Sequence, residues 1–268
     1  MIKMLVLDID GTIYRKDFTA SQRVKSTLQK LIKNGIKVLI ATGRMYSASI
    51  SVAQDIGLVE PIICYQGGYI REIGGKEEVL LKKTVPLSLA REVLKILKVK
   101  NIHANVYIDD VLVVEDDNET IKKYTDERHV PYRVVESFNY CDLGSINKIL
   151  AIDSEPEKIE QLQKELSVIY SDDLYIVRSM PIFCEISNRQ ATKGTAINYL
   201  ANKWGIKKEE IMAIGDQDND IEMLAAAGIG VAMGNATDEL KKIADYITET
   251  VDNDGVACAV EKFMKESL

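Results

Sequence analysis

The first predicted strand and the turn after it constrain the fold of this chain more than any other stretch. Residues Met4–Leu7 are four consecutive apolar residues, a run that predicts a strand buried on both faces. Strands buried in this way belong mostly to parallel sheets covered by helices. Open α/β sheets bind their ligands at the carboxyl ends of the strands, so the residues that follow Leu7 should lie at a binding edge.

Two carboxylates, Asp8 and Asp10, follow this strand, and Gly11 lets the chain turn sharply after them. Side chains alternate along an extended segment, but a turn can bring both carboxyl groups to one pocket. Because two close anionic groups repel each other, the pattern favours a divalent cation between them or a proton on one of them. A strand that ends in an Asx turn would show the same residues, so this segment alone leaves both interpretations open.

Length and charge limit the classes of protein to consider. A chain of 268 residues can form one large domain or two of ordinary size. Its 34 basic and 41 acidic residues give a formal net charge of -7, which argues against nucleic acid or a membrane as partner but allows a local basic pocket for phosphate. We expect neither a signal peptide nor a membrane span, and therefore a cytoplasmic protein.

The cysteines and histidines do not suggest a metal site. The chain has no C-x-x-C pair, and its four cysteines are widely separated: Cys64, Cys141, Cys184 and Cys258. This spacing favours reduced core thiols over a disulfide set or a zinc site. We expect His103 and His129 to be surface or helix-terminal side chains and not ligands.

The first 82 residues alternate strand and helix. Apolar strands are predicted at 37–41 and 61–65, and the segments 19–34 and 47–56 have helical spacing. This alternation predicts a parallel sheet. A hairpin with Gly74-Gly75 as its turn should follow.

The middle of the chain has a different pattern. Between residues 83 and 187 a helix-strand-strand arrangement occurs twice, which predicts an α+β layer with helices on one face of an antiparallel sheet. The first pattern resumes afterwards. We therefore expect a core of residues 1–82 and 188–268 with residues 83–187 inserted as a separate domain.

Two more polar turns follow predicted strands. Thr42-Gly43-Arg44 is by itself ordinary loop chemistry, whereas the turn 215–220 (GDQDND) offers three carboxylates and two side-chain amides without a basic residue. The alternative for the second turn is a solvated acidic loop, but a metal site is favoured if Asp8 and Asp10 converge on the same edge. Such oxygen ligands suit Mg²⁺, and the lack of Cys and His argues against zinc. Lys193 lies where a predicted helix begins after the insertion and can neutralise a phosphoryl oxygen.

Together these motifs resemble those of the haloacid dehalogenase-like phosphatases. Four motifs occur in the same order and at similar spacing: Asp8-x-Asp10-Gly11-Thr12, Thr42-Gly43-Arg44, Lys193-Gly194 and Gly215-Asp216-x-x-Asn219-Asp220. The insertion between the second and third motifs resembles the cap of the Cof-type sugar-phosphatase branch, as do the tail segments 226–236 and 254–257. The resemblance covers the whole chain and implies an α/β fold, with a doubly wound, mainly parallel Rossmann-like core sheet and an inserted α+β cap domain.

The resemblance also implies a role for each motif residue. Asp8 would be the nucleophile that forms an aspartyl-phosphate, and Asp10 the general acid for the leaving alcohol and then the base for water. Mg²⁺ would be held by Asp8, the backbone carbonyl of Asp10 and Asp216, with Asp220 close by. The phosphoryl oxygens would be bound by the amides of Ile9 and Gly43 and by the side chains of Thr42, Lys193 and Asn219.

The sequence departs from the family pattern after the third core strand. Relatives usually carry Asn-Gly there, whereas this chain has Gln66-Gly67, so the contact to substrate or cap should differ. We expect a Mg²⁺-dependent phosphatase, a monomer or weak homodimer, acting on small phosphorylated metabolites, with sugar phosphates first and pyridoxal phosphate or FMN next. A phosphomutase and a non-catalytic phosphoacceptor or metabolite-binding module remain alternatives.

Overall fold

The computed structural model describes residues 1–74, 78–128, 130–139 and 142–268. Gly75, His129 and Cys141 of the predictions above lie outside these residues. The strands, in chain order, are β1 (Met4–Leu7), β2 (Lys37–Ile40), β3 (Ile62–Cys64), β4 (Tyr69–Arg71), β5 (Val79–Lys82), β6 (His103–Ile108), β7 (Val111–Val114), β8 (Tyr132–Val134), β9 (Ile146–Ile152), β10 (Leu174–Met180), β11 (Phe183–Asn188), β12 (Ile211–Gly215), β13 (Ile229–Ala232) and β14 (Tyr246–Ile247).

The helices connect these strands. In chain order they are α1 (Gln22–Lys33), α2 (Tyr46–Ile56), α3 (Leu87–Val99), α4 (Glu119–Arg128), α5 (Pro156–Ile169), α6 (Lys193–Trp204), α7 (Ile221–Ala225), α8 (Asp238–Ile243) and α9 (Gly255–Phe263).

The core is a five-stranded parallel sheet in the order β14-β13-β12-β1-β2. β1 lies inside the sheet between β12 and β2, and its four residues are fully buried, as its apolar run predicts. Leu7 is in register with Ile40 on one side and with Ile214 on the other. The three polar turns that follow these strands therefore leave the sheet at one edge, which confirms the predicted α/β core.

The third predicted core strand joins this sheet less fully than expected. β3 contacts the segment after β2 through one parallel bridge, Ala41 to Ile63, and otherwise pairs antiparallel with β4. β4 and β5 form the predicted hairpin, so β3, β4 and β5 make a small sheet of their own. The turn after β3 thus lies beside the Thr42 loop, and the amide of Thr42 donates to the Ile63 carbonyl over 2.9 Å.

A second, six-stranded sheet forms the inserted cap, in the order β10-β11-β9-β6-β7-β8. Its neighbours pair antiparallel except β7 and β8, which are parallel. The prediction of a purely antiparallel sheet was therefore wrong at this edge. β8 was not predicted at all, and the connection through α4 brings it back parallel to β7.

The cap helices cover both faces of this sheet, and the prediction of one covered face was wrong. α3 and α5 pack on one apolar cluster with Val106, Val113 and Ile149. Ile121 of α4 belongs to the other cluster, with Leu112 and Val114. Because side chains alternate along β7, α4 must lie on the opposite face, which is the one that meets the core.

Several smaller predictions can be compared with the structure. Cys64 and Cys184 are buried free thiols, as expected, and Cys258 is a half-buried one. His103 begins β6 and is half-buried between the side chains of Asn105 and Asn118, so its placement at a helix end or on the surface was wrong. Among the described residues, none of the helices is both long and apolar enough to span a bilayer.

Candidate active site

Three buried carboxylates meet where β1 and β12 end. Asp8, Asp216 and Asp220 each place an oxygen within 4.8 Å of those of the other two. Lys193, 1 % exposed, inserts among them, and its Nζ lies 2.5 Å from Asp8 Oδ1 and 2.5 Å from Asp220 Oδ1. The structure thus brings together four of the residues predicted from three separate motifs.

Local structure explains how Lys193 reaches this cluster. Lys193 is the first residue of α6, and Thr192 caps that helix by accepting a hydrogen bond from the amide of Thr195. Such a cap defines where the helix begins. The side chain therefore leaves the helix at its first turn and points at the sheet edge.

Asp220 and Gly11 shape the turns around Asp216. Asp220 Oδ2 accepts hydrogen bonds from the amides of Asp216, at 2.9 Å, and Gln217, at 3.1 Å. Gly11 has φ +86°, and a Cβ added there would lie 2.3 Å from Asp216 Oδ2. Only glycine combines this backbone conformation with so close an approach, so the glycine of the first motif makes room for the carboxylate of the last.

The electrostatics follow from three carboxylates facing one ammonium group. Burial raises the pKa of Asp8 to about 7, and Asp220 and Asp10 add to the rise, while Lys193 opposes it. Burial likewise raises the pKa of Asp216, with Asp8 adding to it. The pKa of Lys193 is raised because Asp220 and Asp8 outweigh its burial. The cluster holds three acidic groups against one ammonium, and its carboxylate oxygens are the ligands that a hard divalent cation such as Mg²⁺ takes.

The structure places the Asp10 carboxyl outside this cluster. Its side chain is 52 % exposed and makes a two-point ion pair with the Arg44 guanidinium, in which Nε lies 2.8 Å from Oδ2. The guanidinium in turn lies over the rings of Tyr14 and Phe18. The sequence did not indicate this pairing of the first and second motifs.

Apart from Lys193, the predicted phosphate donors lie in the turns after β1, β2 and β12. Within the described chain the amides of Ile9 and Gly43 donate no hydrogen bond, and Thr42, 1 % exposed, lies beside them. Asn219 is also buried, but its Nδ2 donates to Gln66 Oε1 over 3.0 Å. In this arrangement the predicted phosphate ligand Asn219 turns its amide nitrogen toward Gln66.

The cap contributes charged residues that the sequence analysis missed. Lys148 Nζ lies 2.7 Å from the Gly43 carbonyl and 2.6 Å from Glu185 Oε2, and both side chains are buried. Asp110 accepts hydrogen bonds from the amides of Tyr46 and Ser47. Lys148 and Glu185 are each a charged residue inside a mainly apolar strand, β9 and β11. This pattern could have indicated a buried ion pair in the cap from the sequence alone.

Asp110 also explains how α2 begins. Its own cap residue, Met45, has no side chain that can accept from the first amides. The Asp110 carboxylate fills that role at 2.9 and 3.0 Å, and it accepts a hydrogen bond from the Tyr65 hydroxyl as well. Asp110, a residue of the inserted cap domain, thus serves as the N-terminal capping group of α2, the core helix that follows the Thr42 loop.

The motifs and their convergence at one sheet edge agree with a comparison against protein families. A sequence model of the haloacid dehalogenase-like hydrolases matches residues 5–260. The chain belongs to this family. Within the haloacid dehalogenase-like hydrolases it falls in the Cof-type branch, as its motifs indicated.

Individual relatives match this chain along almost its whole length. The 5-amino-6-(5-phospho-D-ribitylamino)uracil phosphatase of Bacillus subtilis is 30% identical over 98% of this chain and 96% of its own. A haloacid dehalogenase-like hydrolase from B. subtilis superposes with a TM-score of 0.89 at 27% identity, covering 98% of this chain and 100% of the other. A sugar phosphatase of subclass IIB of the family superposes with a TM-score of 0.87 at 30% identity, covering 98% of this chain and 99% of the other. This haloacid dehalogenase-like hydrolase is thus a phosphoric monoester hydrolase with the cap-bearing fold.

Proposed function

We propose that the protein is a Mg²⁺-dependent phosphatase that hydrolyses phosphomonoesters of small metabolites through an aspartyl-phosphate on Asp8. One observation carries this proposal. Asp8 is a buried carboxylate at the end of the buried strand β1, in contact with the Lys193 ammonium and with two further carboxylates nearby. A nucleophile, a fixed cation and a set of metal ligands are the parts that phosphoryl transfer requires.

The metal would be held by Asp8, Asp216 and the backbone carbonyl of Asp10. When bound, Mg²⁺ supplies positive charge that offsets the charge of the phosphoryl oxygens and of the carboxylates. Asp220 would hold these ligands in position without binding the metal, because its oxygens already accept hydrogen bonds from Lys193 and from the amides of Asp216 and Gln217.

The reaction would proceed in two steps on these residues. An Asp8 oxygen attacks phosphorus, the bond from phosphorus to the ester oxygen breaks, and Asp10 gives its proton to that oxygen. Water then attacks phosphorus, Asp10 takes a proton from it, and the Asp8 carboxylate leaves. Since Asp10 pairs with Arg44, its carboxyl must exchange that partner for the ester oxygen during each turnover.

The phosphoryl group would lie against the free donors around Asp8. The amides of Ile9 and Gly43, the Thr42 hydroxyl and the Lys193 ammonium can each donate to one of its oxygens. Donors held in place by the fold stabilise the charge of the transition state without reorganising. Asn219 was also assigned to the phosphate by resemblance, and it would first have to release Gln66.

We assign residues 83–187 to a cap that selects the leaving group, and residues 1–82 and 188–268 to the catalytic core. The six-stranded sheet lies between β5 and α6 in the chain, and its Lys148 reaches the Gly43 carbonyl. A cap that meets the loop Thr42-Gly43-Arg44, which we call the phosphate loop, can exclude water from the site. The two phosphatases above are named for a ribityl phosphate and for sugars. Sugar or polyol phosphates are therefore our first substrates, with pyridoxal phosphate and FMN next.

The test is the release of phosphate from 4-nitrophenyl phosphate and from a panel of metabolite phosphates. We expect many turnovers in Mg²⁺ and none after chelation. Asp8→Asn should reduce the rate by at least about a thousandfold, because an amide oxygen is a far weaker nucleophile than a carboxylate oxygen. The matched control is Asp172→Asn, on an exposed residue of the cap. Undiminished activity in Asp8→Asn would refute the mechanism, and a single turnover would indicate a phosphoacceptor instead of an enzyme.

A further inference from the structure

Two buried side-chain amides face each other beside the phosphate loop. Gln66 is 1 % exposed and Asn219 is 7 % exposed, and they share one hydrogen bond. Their remaining polar atoms, Gln66 Nε2 and Asn219 Oδ1, have no partner among the described residues. If both amides were turned over together, the pair would still present one donor and one acceptor. Buried polar atoms without partners cost free energy, so a ligand group that both donates and accepts hydrogen bonds would be favoured beside this pair.

The unpartnered amide of Gln66 points at the phosphate loop and at the cap. A Cβ added to Gly43 would lie 2.4 Å from Gln66 Nε2 and 3.2 Å from Glu185 Oε1. These two groups therefore approach one point, directly over the residue whose amide is a predicted phosphate donor. Glycine at position 43 lets the two groups approach this point, which a Cβ would otherwise occupy.

The cap holds its side of this point with a buried ion pair. Lys148 and Glu185 lie two residues apart in register on neighbouring strands β9 and β11 and point to the same face of the cap sheet. Lys148 Nζ binds Glu185 Oε2 and the Gly43 carbonyl and lies 4.9 Å from the centre of the Tyr107 ring. Three contacts orient the ammonium, and it in turn orients Glu185, whose Oε1 faces Gly43.

We propose that Gln66, Asn219 and Glu185 together bind a hydroxyl group on the carbon next to the phosphoester carbon, with Lys148 as a positioning residue for Glu185. A hydroxyl both donates and accepts, and so it satisfies a free amide N–H on one side and a carboxylate or amide oxygen on the other. A planar aromatic leaving group would bury the same polar atoms without partners. The enzyme therefore selects polyhydroxylated aliphatic phosphates, an inference that rests on the proposed phosphatase function.

Two substrates that differ by one hydroxyl test this inference. sn-Glycerol 3-phosphate carries a hydroxyl next to the phosphoester carbon, and 3-hydroxypropyl phosphate lacks it. For the wild-type enzyme with Mg²⁺ we expect kcat/KM to favour the first by about tenfold or more, the ratio expected for one satisfied buried hydrogen bond. Equal kcat/KM values for the two would overturn the inference.

Gln66→Met separates recognition from catalysis, since methionine has a similar shape without the amide. We expect the ratio of kcat/KM for sn-glycerol 3-phosphate to that for 3-hydroxypropyl phosphate to fall to about one, with a smaller loss of kcat/KM for 4-nitrophenyl phosphate than for sn-glycerol 3-phosphate. Gln161→Met, on an exposed residue of α5, is the matched control. Glu185→Gln provides a second test should Gln66→Met fail to fold, and it should lower the same ratio.

The outcomes distinguish the two proposals. If Gln66→Met or Glu185→Gln lowered kcat/KM equally for all three esters, these residues would serve the cap contact or the phosphate and not the hydroxyl, and the inference would be wrong. If the wild-type protein released no phosphate from any ester, the proposed function itself would fail.

Discussion

Asp8→Asn should stabilise the protein in the absence of metal, although it removes the proposed nucleophile. Asp8 is buried beside two other carboxylates, and Lys193 is the cation in direct contact with it among the described residues. Folding therefore works against the ionised form of Asp8, and its pKa rises from 3.8 to about 7. Asparagine is neutral at every pH and avoids this repulsion, while its side-chain oxygen can still accept from Lys193.

The sign and size of the effect follow from linkage. Below pH 3.8 the Asp8 carboxyl is protonated in both the folded and the unfolded state, so the substitution changes little. As the pH rises toward 7 the unfolded chain loses its proton while the folded protein keeps it, and the wild type loses stability. The full shift is an upper bound of about 4 kcal/mol. Since Lys193 loses a charged partner in the variant, we expect a gain of about 1–2 kcal/mol at pH 8.

The assay is thermal unfolding in a chelator at pH 5 and pH 8. A gain of this size raises Tm by about 2–8 °C, with a larger difference at pH 8 than at pH 5. Mg²⁺ should reverse the order, because the wild type keeps a carboxylate ligand that the variant lacks and a bound ligand stabilises the folded state. Asp172→Asn should leave Tm unchanged under every condition.

One result would refute this reasoning. If metal-free Asp8→Asn unfolded at a lower temperature than the wild type at pH 8, the carboxylate would be stabilising in the fold. The contact with Lys193 would then outweigh burial and repulsion, and the raised pKa of Asp8 would be wrong.

Two further predictions concern the turns around the site. Gly11→Ala should lower the free energy of unfolding by about 1–3 kcal/mol and weaken Mg²⁺ binding measured by calorimetry, because the alanine Cβ would overlap the Asp216 carboxylate. An unchanged affinity for Mg²⁺ would show that the turn can relax. Asp110→Ala should lower the free energy of unfolding by about 1–2 kcal/mol, measured by denaturant unfolding, because it removes the N-cap carboxylate of α2. It should also raise KM in steady-state kinetics, because Asp110 links the cap domain to the core. An unchanged KM would contradict this link.

Much of the core could be predicted because its signals are local. The apolar runs at β1, β2 and β12 determine buried strands, and buried parallel strands place their next residues at one edge. That was enough to expect Asp8, Lys193 and Asp216 in one site, and the structure brings them together. The cap was harder, because its faces depend on which strands become neighbours. The parallel pairing of β7 with β8 and the position of α4 both follow from packing that no single segment specifies.

The sequence by itself determined the core strands β1, β2 and β12, the three polar turns after them and their order, since the periodicity of apolar residues and the chemistry of turns act over a few residues. Only the tertiary structure decided which partners those turns take. Arg44 binds Asp10, Gln66 binds Asn219, and Lys148 of the cap reaches Gly43. Such contacts join residues far apart in the chain, and they depend on how the burial of two sheets brings their polar edges together. We therefore expect the tertiary contacts between the cap and the core to set the leaving group that this enzyme selects.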